Sequence, residues 1–221
     1  MRKAIVIGSG IAGIACALRL RKKRYEVVVF ESNSYPGGKI HAFEKESYRF
    51  DAGPSLFTMP HLVDELYQLF DIDPASHFRY KVKDTICNYF WEDGTTFSAS
   101  ANQDEFIERA STVFSTPKEL LHRYLSVNKR KYELTAGIFL EKSLHRWSTY
   151  LSMETIRSLT QIHKLSLTKT LNEVNEGFFV NPHLIQLFNR YATYNGSSPY
   201  KTPGIMSMIP HLEMYYGTFY P

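Results

Sequence analysis

Residues Met1 to Glu31 constrain this chain more than any other stretch. Ala4-Ile5-Val6-Ile7 is a short apolar run suited to a buried parallel strand, and it leads straight into Gly8-Ser9-Gly10-Ile11-Ala12-Gly13. A helix-compatible segment, Ile14 to Lys23, follows. A second apolar run, Val27-Val28-Val29-Phe30, then ends on Glu31. Gly8 and Glu31 are 23 residues apart, against the roughly 20 that separate glycine turn and ribose-binding acid in dinucleotide folds.

Each part of this unit has a physical task. Gly8 permits the tight strand-to-helix turn, Gly10 lets the backbone approach a pyrophosphate, and Gly13 lets helix and strand pack closely. The start of the helix then offers unpaired N–H groups and a partial positive charge to that pyrophosphate. Glu31 would accept hydrogen bonds from an adenosine ribose. The bare glycine motif is weak, because small residues also serve plain strand–helix packing. Strand, glycine turn, helix, strand and acid in this order point to a bound dinucleotide, with NAD and FAD equally open.

The rest of the chain narrows the class. With 221 residues, 43% of them hydrophobic, it can build one large or two small packed domains. A net charge of +4 gives no reason to expect nucleic acid as a partner. Cys16 and Cys87 form neither a disulfide framework nor a metal set, which fits a reducing, intracellular setting. Met1-Arg2-Lys3 and the small residues after it imitate a secretory leader, but the three glycines and the following strand favour the nucleotide motif. No apolar run reaches the roughly 18 residues of a spanning helix.

After Glu31, Ser32-Asn33-Ser34-Tyr35-Pro36-Gly37-Gly38-Lys39 is rich in turn formers. Two glycines and a cation suit a backbone that wraps an anion. Tyr48 to Ser55 reads as a short strand and a glycine-bearing turn. Pro60 then opens a helix whose face Leu62, Val63, Leu66, Leu69 and Phe70 reads as core. Ile86 to Ser98 reads as a hairpin around Asp93-Gly94. Its aromatics are better suited to filling a sheet face than to lining a ligand pocket.

From Pro117 to Asn172 helical patterning dominates, and ten cations stand against four acids, so the rest of the chain is on balance acidic. Leu125, Ile138, Phe139, Leu140, Leu144, Trp147, Tyr150, Leu151, Met153, Ile156 and Leu159 are interleaved with those cations. Basic helices with an apolar, aromatic face suit a membrane surface; a solvated face over an ordinary core explains them equally well. Helices are also expected over Pro182 to Tyr194 and Gly204 to Glu213. Only two parallel strands can be read with assurance, whereas a doubly wound sheet needs five or six. The expectation is therefore an N-terminal portion of something longer.

Together these motifs resemble the bacterial-type carotenoid (phytoene) desaturases of the FAD-dependent, amine-oxidase-like superfamily. Gly8 to Gly13 with Glu31 is similar to that family's FAD unit, and Pro36-Gly37-Gly38-Lys39 to its glycine-glycine-arginine element. Lysine there keeps the charge but loses the bidentate fork. Phe50-Asp51-Ala52-Gly53-Pro54-Ser55 resembles the family's F-D-x-G-P segment, and Phe90-Trp91-Glu92-Asp93-Gly94-Thr95 its tryptophan hairpin. Phe188-Asn189-Arg190-Tyr191-Ala192-Thr193-Tyr194-Asn195-Gly196-Ser197-Ser198-Pro199 is similar to the stretch preceding these desaturases' glycine-glycine loop, in wording closest to the hydroxycarotenoid or other late-acting desaturases. Arg24 stands where such units often have a helix-ending glycine.

The resemblance implies an α/β fold: a Rossmann-like FAD-binding domain, incomplete in this chain, with a mainly helical substrate- and membrane-binding insertion. Residues 1–98 would belong to the FAD domain with its hairpin, 99–200 to the helical region, and 201–221 to the start of a continuation. The implied cofactor residues are Gly8, Ser9, Gly10, Ile11, Ala12, Gly13, Glu31, Ser32, Gly38, Lys39 and Pro54. The implied activity is flavin-dependent dehydrogenation of an acyclic, apolar carotenoid, by a cytoplasmic enzyme held peripherally on the inner membrane. No metal and no catalytic acid or base is assigned. Another amine-oxidase-like flavoenzyme, or a non-catalytic remnant of a split gene, stays open beside it.

Overall fold

The computed structural model describes all residues except Ser55, Glu141 and Leu144, and the side chain of Glu154. Ser55 of the Phe50–Ser55 segment, and Glu141 and Leu144 of the basic stretch, thus lie outside the described residues. The chain divides into two units, one made of residues 1–83 and 218–221, the other of 84–217.

The first unit opens with β1 (Lys3–Ile7), α1 (Ile11–Lys22) and β2 (Glu26–Phe30), the strands parallel and in register from Lys3 opposite Glu26 to Ile7 opposite Phe30. α1 covers one face only. Ala4 and Val6 are half-buried, while Ile5, Ile7, Val28 and Phe30 are exposed. The runs expected to be buried are half-buried on one face only, because no third strand or second helix layer joins this sheet among the described residues. Arg24 takes φ +62° just past the helix, the left-handed conformation a glycine adopts freely. That departure costs about 1 kcal/mol.

β3 (Ala42–Lys45) and β4 (Tyr48–Asp51) form a separate antiparallel ribbon, with Phe43 stacked on Phe50 at 5.3 Å. The strand expected near Phe50 therefore does not extend the parallel sheet. α2 (His61–Gln68) follows Pro60. Its expected core face is only half-covered, with Leu62 exposed. β5 (Lys81–Val82) pairs antiparallel with a closing strand, Phe219–Tyr220.

The second unit holds the larger core. β6 (Thr85–Phe90) and β7 (Thr96–Ser100) form the expected hairpin, with Gly94 at φ +85° in its turn. Trp91 stacks on Tyr89, meets Phe114 edge-on, and donates to Gln186 Oε1 at 2.6 Å. Phe97 and Ala99 are buried with Phe106 and Phe114 of the next helical segment. The hairpin aromatics fill a sheet face, and this shared core draws the hairpin into the helical unit. The division accordingly falls after residue 83 instead of 98, and residues 201–217 also lie in the helical unit.

α3 (Gln103–Val113), α4 (Lys118–Phe139), α5 (Trp147–Tyr150), α6 (Met153–Thr160), α7 (Leu171–Glu176), α8 (Pro182–Asn189) and α9 (Ile209–Tyr216) follow. A 3-10 segment, Arg190–Asn195, ends the helix expected to run to Tyr194; another, Gly204–Met208, leads into α9. α4 buries Leu121, Tyr124, Leu125, Asn128, Lys131, Tyr132, Thr135 and Ile138, one stripe at helical spacing. Lys131 is therefore no part of a basic surface. Its Nζ donates to Ser207 Oγ at 2.8 Å. Burial, reinforced by nearby Lys169, lowers its pKa to about 8. α4 thus faces a core, whereas Phe139, Leu140, Trp147, Leu151, Met153 and Leu159 after its buried stripe are exposed.

Candidate nucleotide site

The site lies in the first unit, where three glycine-bearing turns converge. Gly8 has φ +94° and its amide donates to Phe30 O at 2.7 Å, tying the end of β1 to the end of β2. A Cβ on Gly13 would lie 2.0 Å from Gly8 O, so the first turn of α1 packs on the glycine loop with no room for a side chain. The Pro36–Lys39 turn comes back onto this loop. Gly37 N donates to Ser9 O at 2.9 Å, and a Cβ on Gly38 would stand 3.2 Å from Gly10 Cα. A Cβ on Gly53 would in turn lie 1.9 Å from Lys39 O. Residues 8–13, 37–39 and Gly53 thus form one backbone cradle, although the sequence separates them widely.

Gly10 differs from these. Its φ of −66° is open to any residue, and a Cβ there would meet no atom within 4 Å. It is the N-cap of α1, no side chain caps that helix, and no acid stands in its first turn, which Ile11 and Ala12 begin. Arg19, Arg21 and Lys22 sit in the last turn, where cations complement the helix dipole. The N-terminal end therefore keeps its positive character and its orphan N–H groups for an outside anion.

Glu31 is held firmly at the tip of β2. Its Oε2 accepts from Ser9 N and Ser9 Oγ, both at 2.8 Å. Its Oε1 accepts from Asn33 N at 2.9 Å and Asn33 Nδ2 at 3.0 Å, with Ser32 Oγ at 3.3 Å. The Asn33 amide first, then the Ser9 amide and hydroxyl, hold the Glu31 carboxyl at about 2, well below its ordinary 4.5. Asn33 was not singled out in the sequence; its position two residues after the acid was the available signal. The lowered value fixes the sign of a pH effect. The contribution of Glu31 to stability is complete above pH 4.5 and is lost as the pH falls from there towards 2. The urea midpoint of the wild type should drop across that window more steeply than that of Glu31→Gln. Equal slopes would dismiss the clamp.

Lys39 is exposed, and Pro54 lines a neighbouring cavity of about 280 Å³ together with His41, Arg49, Asp51 and Tyr220. There Arg49 pairs with Asp51 at 3.2 Å, and Tyr220 donates to Asp51 Oδ2 at 2.9 Å. Among the described residues no group of histidine, cysteine and acid side chains could hold a metal ion.

A βαβ unit with these glycine turns and an acid at the second strand defines a Rossmann-like nucleotide-binding protein. The family model described as an NAD(P)-binding Rossmann-like domain matches residues 6–72. Cyclohexylamine oxidase from Brevibacterium oxydans superposes with a TM-score of 0.59 at 15% identity, covering 99% of this chain and 45% of that one. An oxidoreductase from Methanosarcina mazei superposes with a TM-score of 0.57 at 15% identity, over 100% and 45%. Those likenesses establish the fold. The 1-hydroxycarotenoid 3,4-desaturase of a Flavobacterium species is 58% identical over all 221 residues, 100% of this chain and 45% of that protein. The 4,4'-diapolycopene oxygenase of a Methylomonas species is 26% identical over 99% of this chain and 44% of its own length. The chain is similar over its whole length to these carotenoid-modifying relatives, and it spans less than half of theirs.

Proposed function

We propose that residues Gly8 to Gly13, Glu31, Ser32, Gly38, Lys39 and Pro54 hold FAD, and that the whole protein desaturates an acyclic, hydroxylated carotenoid. The 58% match over all 221 residues to part of a 1-hydroxycarotenoid 3,4-desaturase carries this reading of the substrate. The fit of the cofactor rests on Gly10, where open space stands before an uncapped helix end. In this reading the α1 N-terminus and the glycine turn receive the pyrophosphate, Glu31 accepts from the adenosine ribose, and Lys39 adds charge. A carboxylate at that position disfavours a 2′-phosphate, so a nucleotide without one is preferred. FAD, when bound, supplies a two-electron acceptor; the protein's share is to bind it, orient it and exclude water.

Two measurements test the reading. Flavin fluorescence should be quenched on titration with the wild-type protein and much less with Glu31→Gln. In a host that makes the acyclic hydroxycarotenoid, the whole protein should shift the pigment absorption to longer wavelength, as a lengthened polyene requires. Retained flavin without a pigment shift would instead favour another flavoenzyme activity.

We further infer attachment to a membrane surface through residues 139–167. Support comes from the exposed Trp147, Leu151 and Met153, side chains of the kind that enter a lipid interface. No helix among the described residues is long and apolar enough to cross a membrane. The protein should float with vesicles.

A further inference from the structure

The helical unit buries one cation without an acid. Lys131 on α4 is 2% exposed, and among the described residues its Nζ has a single hydrogen-bond partner, Ser207 Oγ at 2.8 Å. An ammonium carries three N–H donors, so the fold meets one of them, and with a neutral oxygen. Ser207 has a single hydrogen that faces two acceptors, Asn128 Oδ1 and Gly204 O, each at 2.8 Å. Asn128 lies one turn before Lys131 on the same buried stripe, and its Nδ2 finds no partner. The cluster is thus rich in donors and lacks a carboxylate. Such a setting favours a neutral amine, which offers a lone pair, over an ammonium.

The neighbouring elements bring no compensating charge. Lys169, just ahead of α7, bears on Lys131 with like charge, and its carbonyl accepts from Gly204 N at 2.7 Å. Glu173 of α7 is exposed and closes the capping box with Thr170. The 3-10 segment Gly204–Met208 contains no titratable side chain. On α9, Glu213 is taken up by Arg190 and Tyr194, Tyr216 pairs with Tyr132, Tyr215 is exposed, and His211 faces Lys129 and Glu133. On α4 itself Arg130 pairs with Glu133. Asp104, Glu105, Glu108 and Arg109 of α3 are exposed, as is Arg157 of α6. α6 runs back along α4, with Ser158 at Leu134 and Gln161 at Arg130, so residue 154 lies towards the far end of α4. We propose that Lys131 is a proton-operated latch: its neutral amine lets α4 and Gly204–Met208 close on each other, and its protonation loosens that seam. The unfolded chain takes up this proton near pH 10.5 and the folded chain only near about 8. Folding therefore weakens as the pH falls from 10.5 towards 8, and levels off below. The latch depends on neither the nucleotide nor the membrane reading.

The test compares the full wild-type chain with Lys131→Met, which keeps the length without the charge, and Lys131→Arg, which stays charged at every pH. Urea unfolding and amide exchange are followed at pH 7 and pH 9. The Lys131→Met curve carries the titration of all other groups and serves as the reference. Relative to it, the wild-type folding constant should rise about tenfold from pH 7 to pH 9, and that of Lys131→Arg should not rise. Exchange over residues 204–208 should be faster in wild type than in Lys131→Met at pH 7. That difference should shrink about tenfold at pH 9, with α8 unchanged in both. Parallel curves for wild type and Lys131→Met would overturn the latch. So would the tenfold rise without faster wild-type exchange at 204–208, because a buried charge would then move nothing. If Lys131→Met does not fold, the Cε resonances of wild type labelled with 13C-lysine decide the matter. One lysine titrating at about 8 supports the latch, and all lysines titrating together at about 10.4 overturns it.

Discussion

Replacing Gly13 with alanine is expected to unfold the βαβ unit, whereas replacing Gly10 with alanine is expected to leave it folded and weaken nucleotide binding at least tenfold. The two substitutions add the same methyl group three residues apart, and the surroundings decide the outcome. At Gly13 the new carbon would lie 2.0 Å from Gly8 O, a backbone atom that cannot rotate away. α1 would have to lift off β1, and overpacking of this kind costs about 3 kcal/mol. The unit has little reserve against that loss, since α1 contains no fully buried residue and only one face of the strand pair is covered. Amide exchange over residues 3–30 should therefore accelerate strongly in Gly13→Ala, with the helical unit unaffected. At Gly10 no atom lies within 4 Å and φ is −66°, so the folded chain tolerates the methyl group. What does not tolerate it is an anion seated on the helix end, which needs the backbone within hydrogen-bonding reach. Gly10→Ala should keep wild-type exchange rates and lose FAD by at least tenfold in Kd, about 1.4 kcal/mol. Wild-type affinity in that variant would remove the pyrophosphate from this turn.

Much of this cradle was legible in the sequence because its chemistry is local. Gly8, Gly10, Gly13 and Glu31 sit at spacings set by one strand, one turn and one helix, and those spacings do not depend on the rest of the fold. The Asn33 side chain that closes over Glu31, two residues on, is no part of the glycine–acid spacing, and the return of Gly37 onto Ser9 is a tertiary contact. Charge was less readable. Lys131 counts as part of a basic face until α4 is seen to pack it against Ser207, 76 residues away. The exposed cluster around Trp147 is visible only because α4 takes the earlier apolar positions into a core and leaves the later ones outside. The Phe188–Pro199 stretch supports the family resemblance without revealing its task. That task is structural: Asn189 donates to Asn172 and accepts from Asn175, at 2.7 and 2.8 Å, while Arg190 reaches α9.

Breaking the Arg190–Glu213 pair from one side should produce the largest stability loss in the helical unit. Glu213 is fully buried and pairs with Arg190 Nη2 at 2.6 Å, while its second oxygen accepts from Tyr194 Oη at 2.5 Å. Arg190 also donates to Tyr89 Oη at 2.7 Å and lies over the Tyr191 ring at 4.4 Å. One ion pair thus joins the hairpin, the segment after α8, and α9. Arg190→Met would leave the buried Glu213 carboxylate without its guanidinium partner, at a cost of about 3–5 kcal/mol. Glu213→Leu would strand the guanidinium instead, with a smaller loss because Arg190 retains Tyr89 and is less deeply buried. The double variant Arg190→Met/Glu213→Leu removes both charges together. It should recover at least half of the Arg190→Met loss, since desolvation of the pair offsets much of its attraction. Urea unfolding of the three variants yields the coupling energy directly. Additive losses would mean that the two side chains contribute through packing alone, and that the network does not act as one unit.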